Sequence, residues 1–441
     1  RWEVTGGGCN YLFHLRDDVR WSDGIRVTAQ DFEYAWKRLL SPATGFAYAN
    51  ILFDIKGARA FNQGEVASAR QVGVRALDDS TLQVILEHPT AYFLQLLTSS
   101  MARPVPRHAV EAHGESWTDL EHIVTCGPFR LESYDPRAVM ILARDPDYHG
   151  RRGGNLQRVE VNHVTCWTDG GKLAAYEDGS LDIGASYDLP TRERHWARER
   201  HAGQYVQYPA LWLDFAGFDA RRRPFADARV RRAFVMATDK QALADIYRRG
   251  WYVPATGGFV PPRMPGHSPD IGLPYDPPEA RRLLAEAGYP GSDGFPIVLA
   301  RKGGLVEPEA EHLSARWREI LGVAVEWLDP GDERPAHLFV TGWFPVYPDP
   351  DCLLRVSIPV PATPGWRSEV YEGLVERAGR LTEHGERMKL YGQADRILIE
   401  EAAVLPLFYG RMNCILQPWV KSYPFSPMSF WFWKDIVIEE H

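Results

Sequence analysis

The sequence predicts an α/β protein large enough for two or three units of ordinary domain size. Three observations carry this. The chain has 441 residues, 45% of them hydrophobic, enough to bury substantial cores. Runs that alternate apolar and polar residues, as half-buried strands do, are interspersed with capped stretches of helical periodicity. A helical stretch near Ala310 to Leu321 leads into a strand-like Val323-Ala324-Val325-Glu326-Trp327, the order of an α/β unit.

The elements follow in order. Tyr11 to Arg16 alternates as a strand, and Asp17-Asp18 with Ser22-Asp23-Gly24 supply turn residues. Thr28 with Asp31 three residues on predicts a capped helix start, with Phe32, Trp36, Leu39 and Leu40 on one face and Ser41-Pro42 as the stop. Two strands are expected between Val72 and Leu86 around Asp78-Asp79-Ser80, and another pair from Cys126 to about Tyr148. Asp227 to Gly250 reads as one helix, its apolar positions recurring at three and four. Pro254 to Pro274, rich in Pro and Gly, reads as a surface excursion. Asp276-Pro277 opens a further helix that Gly288 closes. Helices near Ser368 to Leu381 and Arg387 to Glu401 precede a strand through Val404 to Tyr409. The apolar Phe430-Trp431-Phe432-Trp433 and alternating Ile436-Val437-Ile438 should pair back into a sheet laid down much earlier.

Composition narrows the function. A net charge of −8 argues against a nucleic-acid surface, which needs clustered Lys and Arg; Arg221-Arg222-Arg223 reads as a solvated loop. No stretch approaches the length of apolar chain that a membrane helix requires. The chain opens with Arg1-Trp2-Glu3-Val4, so the expectation is that processing or cloning has removed the natural start. Five cysteines, Cys9, Cys126, Cys166, Cys352 and Cys414, are scattered without a CxxC pattern; buried free thiols and a single disulfide are both compatible with them. There is no HExxH, no GxSxG elbow, no Walker loop and no EF-hand spacing. Gly170-Gly171-Lys172 lacks the context of a phosphate loop, and Asp349-Pro350-Asp351 reads as a structural turn rather than a metal site. No catalytic residue, metal or cofactor is expected. Fifteen Trp, nineteen Tyr and nineteen Phe suit a cleft, since Trp and Tyr offer an apolar face with one hydrogen-bonding group.

A collinear set of motifs then resembles family 5 extracellular solute-binding proteins. Phe13-His14-Leu15-Arg16, Trp21-Ser22-Asp23-Gly24, Val27-Thr28-Ala29 and Asp31-Phe32 resemble the family's early segment. Cys126-Gly127-Pro128-Phe129 resembles its Thr-Gly-Pro-aromatic step, with Cys in place of Thr. Gly179 to Ile183, Pro224 to Asp227, Val230 to Phe234, Asp239-Lys240, Tyr275-Asp276-Pro277, Gly288-Tyr289-Pro290, Tyr347 to Pro350 and Pro406 to Tyr409 follow in register. Leu40 to Leu52, Val105 to Val110 and Gln417 to Val420 most resemble oligopeptide binders.

The resemblance implies a bilobal, periplasmic-binding-protein-like α/β fold of type II, with a hinge between two α/β lobes and a small extra α+β lobe. The small lobe would span 1–107, a split lobe 108–209 plus 415–441, and the second lobe 210–414; the split lobe's first strands are expected before residue 1. It implies the substrate-binding subunit of an ABC importer, a monomer that captures a peptide or another small molecule and delivers it to permease subunits. That subunit would lie outside the cytoplasmic membrane, periplasmic or anchored as a lipoprotein. The alternative is a ligand-sensing domain of a cytoplasmic transcriptional regulator, whose DNA-binding or signalling module would precede residue 1.

In such binders a buried Asp three residues after a Trp holds the peptide ammonium. The matching Trp here is Trp343, which puts Val346 at the Asp position, and Val340 at a position expected to be basic. Burying an ammonium against Val would cost several kcal/mol, so the expectation shifts toward a neutral, hydrophobic or glycosidic ligand. Asp349 could compensate, but it aligns with a family acidic residue outside the pocket. By the same resemblance Tyr48, Trp212 and Trp343 are candidate ligand contacts, with Phe344, Tyr347 and Tyr409 as neighbours. Core packing is the competing assignment for each.

Overall fold

The computed structural model describes residues 1–162, 171–185, 191–248, 252–305, 307–356, 363–428 and 432–440. Its contacts divide the chain into two units, Arg1–Tyr208 with Met412–His441 and Pro209–Arg411. Among the described residues no helix is long and apolar enough to cross a membrane.

The first unit opens with β1 (Trp2–Thr5), β2 (Asn10–His14) and α1 (Ala29–Leu40). Short helices α2 (Ala58–Asn62) and α3 (Phe93–Leu96) flank β3 (Val74–Ala76) and β4 (Thr81–Ile85). The four strands form an antiparallel sheet in the order β1-β2-β4-β3. Helix α1 starts where its first turn is satisfied: the Asp31 carboxylate accepts the Thr28 backbone N–H at 2.8 Å. Trp36, buried on its inner face, donates its indole N–H to the Ala102 carbonyl at 3.0 Å. Beyond α4 (Arg107–His113), β5 (Phe129–Tyr134), β6 (Val139–Arg144) and β7 (Arg158–Asn162) form a second antiparallel sheet. Helices α5 (Gly171–Glu177) and α6 (Thr191–Arg200) bracket β8 (Ile183–Ala185).

The chain enters the second unit within β9 (Tyr205–Phe218). Helices α7 (Ala228–Met236) and α8 (Lys240–Leu243) and strand β10 (Val253–Pro254) follow. Then come α9 (Pro277–Glu286), β11 (Val298–Arg301), α10 (Glu307–Leu321), β12 (Val325–Leu328) and β13 (Leu338–Trp343). Helices α11 (Glu369–Arg380) and α12 (His384–Glu400) lead to β14 (Val404–Leu416), within which the chain returns to the first unit. The strand order is β10-β14-β9-β13-β11-β12; β11 runs parallel to β12 and β13, while β13 meets β9 antiparallel. A chain of aromatic contacts forms the core: Phe218 on Phe225 at 5.1 Å, Phe225 on Phe234 at 4.9 Å and Phe234 on Trp317 at 5.1 Å. The first unit closes with β15 (Val420–Ser422) and β16 (Val437–Ile438).

Three expectations need correction. The single helix expected from Asp227 breaks after Met236, because the Asp239 carboxylate accepts the Ala242 N–H and starts α8; its expected end, Gly250, lies outside the described residues. The stretch from Pro254 to Pro274 is a surface excursion only in its later part, where Pro269, Asp270 and Pro274 are exposed; its first part is core. Ala255, Phe259 and Val260 are fully buried; buried donors and acceptors satisfy the backbone, Lys240 donating to the Ala255 carbonyl at 2.9 Å and Asp395 accepting the Phe259 N–H at 2.7 Å. The final strand pairs with the nearby β15 instead of an early sheet. The earlier chain holds it through a loop, Gly154 and Asn155 donating N–H groups to the Lys434 and Ile436 carbonyls. Phe430, Trp431, Cys166 and Gly170 lie outside the described residues.

Candidate ligand-binding site

In the second unit Asp214 of β9 lies opposite Gly342 of β13. Period-two alternation puts Trp212 on the same face as Asp214, and the Trp212 indole N–H donates to Asp214 Oδ1 at 2.9 Å. The indole needs bare backbone beside it. A Cβ on Gly342 would stand 2.7 Å from both the indole nitrogen and Asp214 Oδ1, and one on Gly410 would stand 2.8 Å from Trp212 Cβ. Phe344 lies 4.4 Å from the Trp212 ring and Tyr252 meets it edge-on at 5.8 Å. Phe344 is 45% exposed, so the three rings form an apolar shelf with an open side.

The segment after β13 is tied into a buried polar network. The Cys352 sulfur accepts the Val346 N–H at 3.2 Å, and burial pushes its thiol up to about 12. Tyr347 is fully buried and donates its hydroxyl to Asp351 at 2.6 Å. Asp351 also accepts from the Tyr391 hydroxyl at 3.2 Å and from Arg355. Asp349 accepts two hydrogen bonds from Arg387 at 2.9 and 3.1 Å. Burial raises its carboxyl above the usual carboxylate range, with the Arg387 charge opposing the shift. Among the described residues no group of three or more His, Cys, Asp or Glu could hold a metal.

The candidate residues thus divide. Trp212 and Phe344 share the shelf; Trp343 immediately precedes Phe344 in the chain and half-buried Val346 lies two residues after it. Val340 is buried in β13, paired with Ala216. Tyr347 and Tyr409 lie in the core, the Tyr409 hydroxyl donating to the Gly258 carbonyl at 2.7 Å. Tyr48 belongs to the first unit, 42% exposed, its ring 6.0 Å from that of Phe46. Sequence reasoning missed Tyr252, Asp214 and the two glycines. The lone glycine of Thr341-Gly342-Trp343 was the available signal, since glycine inside a strand marks a close approach; Tyr252 carried none.

Comparison with known proteins fits this architecture. Residues 1–357 match the family model described as bacterial extracellular solute-binding proteins, family 5 Middle. The chain is 31% identical to the probable deoxycholate-binding periplasmic protein YgiS of Escherichia coli, over all of this chain and 85% of that protein. It is 28% identical to the E. coli periplasmic oligopeptide-binding protein OppA, over 98% and 82%. The structure of the E. coli murein tripeptide binding protein MppA superposes with a TM-score of 0.87 at 25% identity, covering all of this chain and 89% of that one. Fold and sequence together define a solute-binding protein, the capture component of an ABC importer, in a family whose members bind solutes and are not enzymes. The chain belongs to the bacterial extracellular solute-binding proteins, family 5.

Proposed function

We propose that this receptor works outside the cytoplasmic membrane, hands its solute to permease subunits, and recognises that solute by an uncharged apolar or ring-bearing part instead of by a peptide ammonium. The engagement of Asp349 by Arg387 is the observation that carries this reading. With Val at 346, the nearby carboxylate that could have met an ammonium already has a buried cation, and a second cation there would have to displace it. The shelf of Trp212, Phe344 and Tyr252 supplies what an uncharged ligand needs, flat apolar area with an indole already fixed by Asp214. Among the relatives, YgiS carries a name that refers to deoxycholate, while OppA and MppA carry names that refer to peptides. The first of these chemistries matches the shelf. Peptides whose amino terminus is blocked, or whose apolar side chains dominate, fall within the same class.

The test is a thermal-shift series with deoxycholate, a free tripeptide and its N-acetylated form, because a ligand of the native state raises Tm. Deoxycholate or the blocked peptide is expected to raise Tm at least as much as the free peptide. Stabilisation by the free peptide that acetylation abolishes would overturn the proposal and make the chain an ordinary peptide receptor.

A further inference from the structure

In the first unit a small cavity lies where the β5–β6 hairpin, the loop before β7 and the C-terminal segment converge. Arg144, Arg152 and Lys434 line it, with Phe129 and Leu156 as apolar walls and Gly154 on the loop side. Arg152 donates from Nη2 to the carbonyls of Asp145 and Pro146, while its Nε is buried without a hydrogen-bond partner. Arg144 donates to the Leu156 carbonyl at 3.4 Å. Among the described residues neither guanidinium pairs with a carboxylate. Lys434 is paired with Asp435 at 2.6 Å, and Asp435 also accepts the Gly153 N–H at 3.1 Å. Asp145 and Asp147 are engaged by Arg130, at 2.7 and 3.2 Å. Three cations therefore line one space, and among the described residues only Lys434 of the three is paired with a carboxylate, that of Asp435.

We infer that this cavity binds a small inorganic anion of chloride size. The free space is about that of one water molecule, so a halide enters only as the long cationic side chains move outward, and sulfate or phosphate would require a larger movement still. An anion there offsets the mutual repulsion of the three cations and draws on donors that the protein leaves under-used. It also joins the hairpin through Arg144, the loop through Arg152 and the C-terminal segment through Lys434, so its effect is to fasten the last strand to the unit.

Two measurements on the full chain test this. The first is Tm against chloride, sodium chloride replacing sodium methanesulfonate at constant ionic strength so that screening is unchanged. Tm should rise with chloride and saturate, and Arg152→Met should abolish the rise while leaving the unit folded. The second is a crystal grown in bromide, in which an anomalous peak is expected between Arg152 and Lys434; it needs no variant and so remains decisive if Arg152→Met misfolds. Equal Tm in both salts, an unchanged chloride response in Arg152→Met, or no bromide peak at this place would each overturn the assignment.

Discussion

Arg387 holds the Asp349 carboxylate through one terminal nitrogen, at 2.9 and 3.1 Å, with only 3% and 5% of the two side chains exposed. The same guanidinium donates to the Ala378 carbonyl at 3.3 Å and lies over the Tyr391 ring. Removing one partner of such a pair leaves the other charge buried and uncompensated. Arg387→Met should lower the stability of the second unit by about 3–5 kcal/mol, read as a lower midpoint in urea at neutral pH. The double variant Arg387→Met with Asp349→Asn should recover much of that loss. If the double variant is as unstable as the single one, packing of the arginine stem and not its charge is what matters.

Asp395 sits wholly buried on α12 and accepts the Phe259 and Val260 N–H groups at 2.7 and 3.3 Å. Burial raises its carboxyl to about 7, the two N–H groups opposing that shift. A carboxyl whose folded value exceeds its unfolded one binds more protons when folded, so its contribution falls as pH rises from about 4 to about 7. Shifted carboxylates such as Asp18 and Asp227 are moved downward and contribute in the opposite sense. The prediction is therefore a difference between proteins: the stability of Asp395→Asn relative to wild type should improve between pH 4 and pH 8, by an amount on the order of 4 kcal/mol. Parallel stability curves across that range would show that Asp395 does not titrate in the folded protein there.

Much of this architecture was legible because its signals are local. Thr28 with Asp31, Asp276 with Pro277, and Ser368 each mark a helix start through groups a few residues apart, and α1, α9 and α11 begin at these points. What stayed hidden depends on partners far along the chain. The Pro- and Gly-rich segment after Val253 reads as a loop, and only Lys240 and Asp395 from two helices make its burial tolerable. The site divides in the same way. Trp212 and Phe344 were nameable from motif register, but that the indole rests against Gly342 and Gly410 follows from strand pairing. The fate of Asp349 depended on Arg387, 38 residues away.

Asp31 does more than start its own helix. Besides the Thr28 N–H, its Oδ2 accepts the Thr28 hydroxyl at 3.2 Å and the Trp21 indole at 3.4 Å, while Oδ1 accepts the Arg107 N–H at 3.3 Å. The carboxylate thus ties the starts of α1 and α4 to the Trp21 turn. Asp31→Ala should cost about 2–4 kcal/mol, the loss of a cap plus buried donors left unmatched. Asp31→Asn, which keeps one acceptor, should cost less. Hydrogen exchange at the Thr28 and Arg107 amides should rise in the alanine variant; if only Thr28 responds, the tie to α4 is incidental.

Gly342→Ala separates the shelf from the fold. The new methyl would crowd the Trp212 indole nitrogen and Asp214 Oδ1 at 2.7 Å, so the indole must lift, and its hydrogen bond to Asp214 lengthens or breaks. Position 342 is exposed and its backbone is not left-handed, so the substitution carries no intrinsic backbone strain. Gly303→Ala is the contrasting control: that glycine has φ +51° and abuts the Val340 carbonyl, so a methyl there strains the backbone itself. The expectation is a loss of about 1 kcal/mol or less in stability for Gly342→Ala, a shift in tryptophan emission, and an affinity for the stabilising solute at least about tenfold weaker, equivalent to about 1.4 kcal/mol. Gly303→Ala should lose stability first. An unchanged affinity in a Gly342→Ala protein whose emission has shifted would remove the Trp212 shelf from the binding surface, and the solute would then have to be recognised elsewhere.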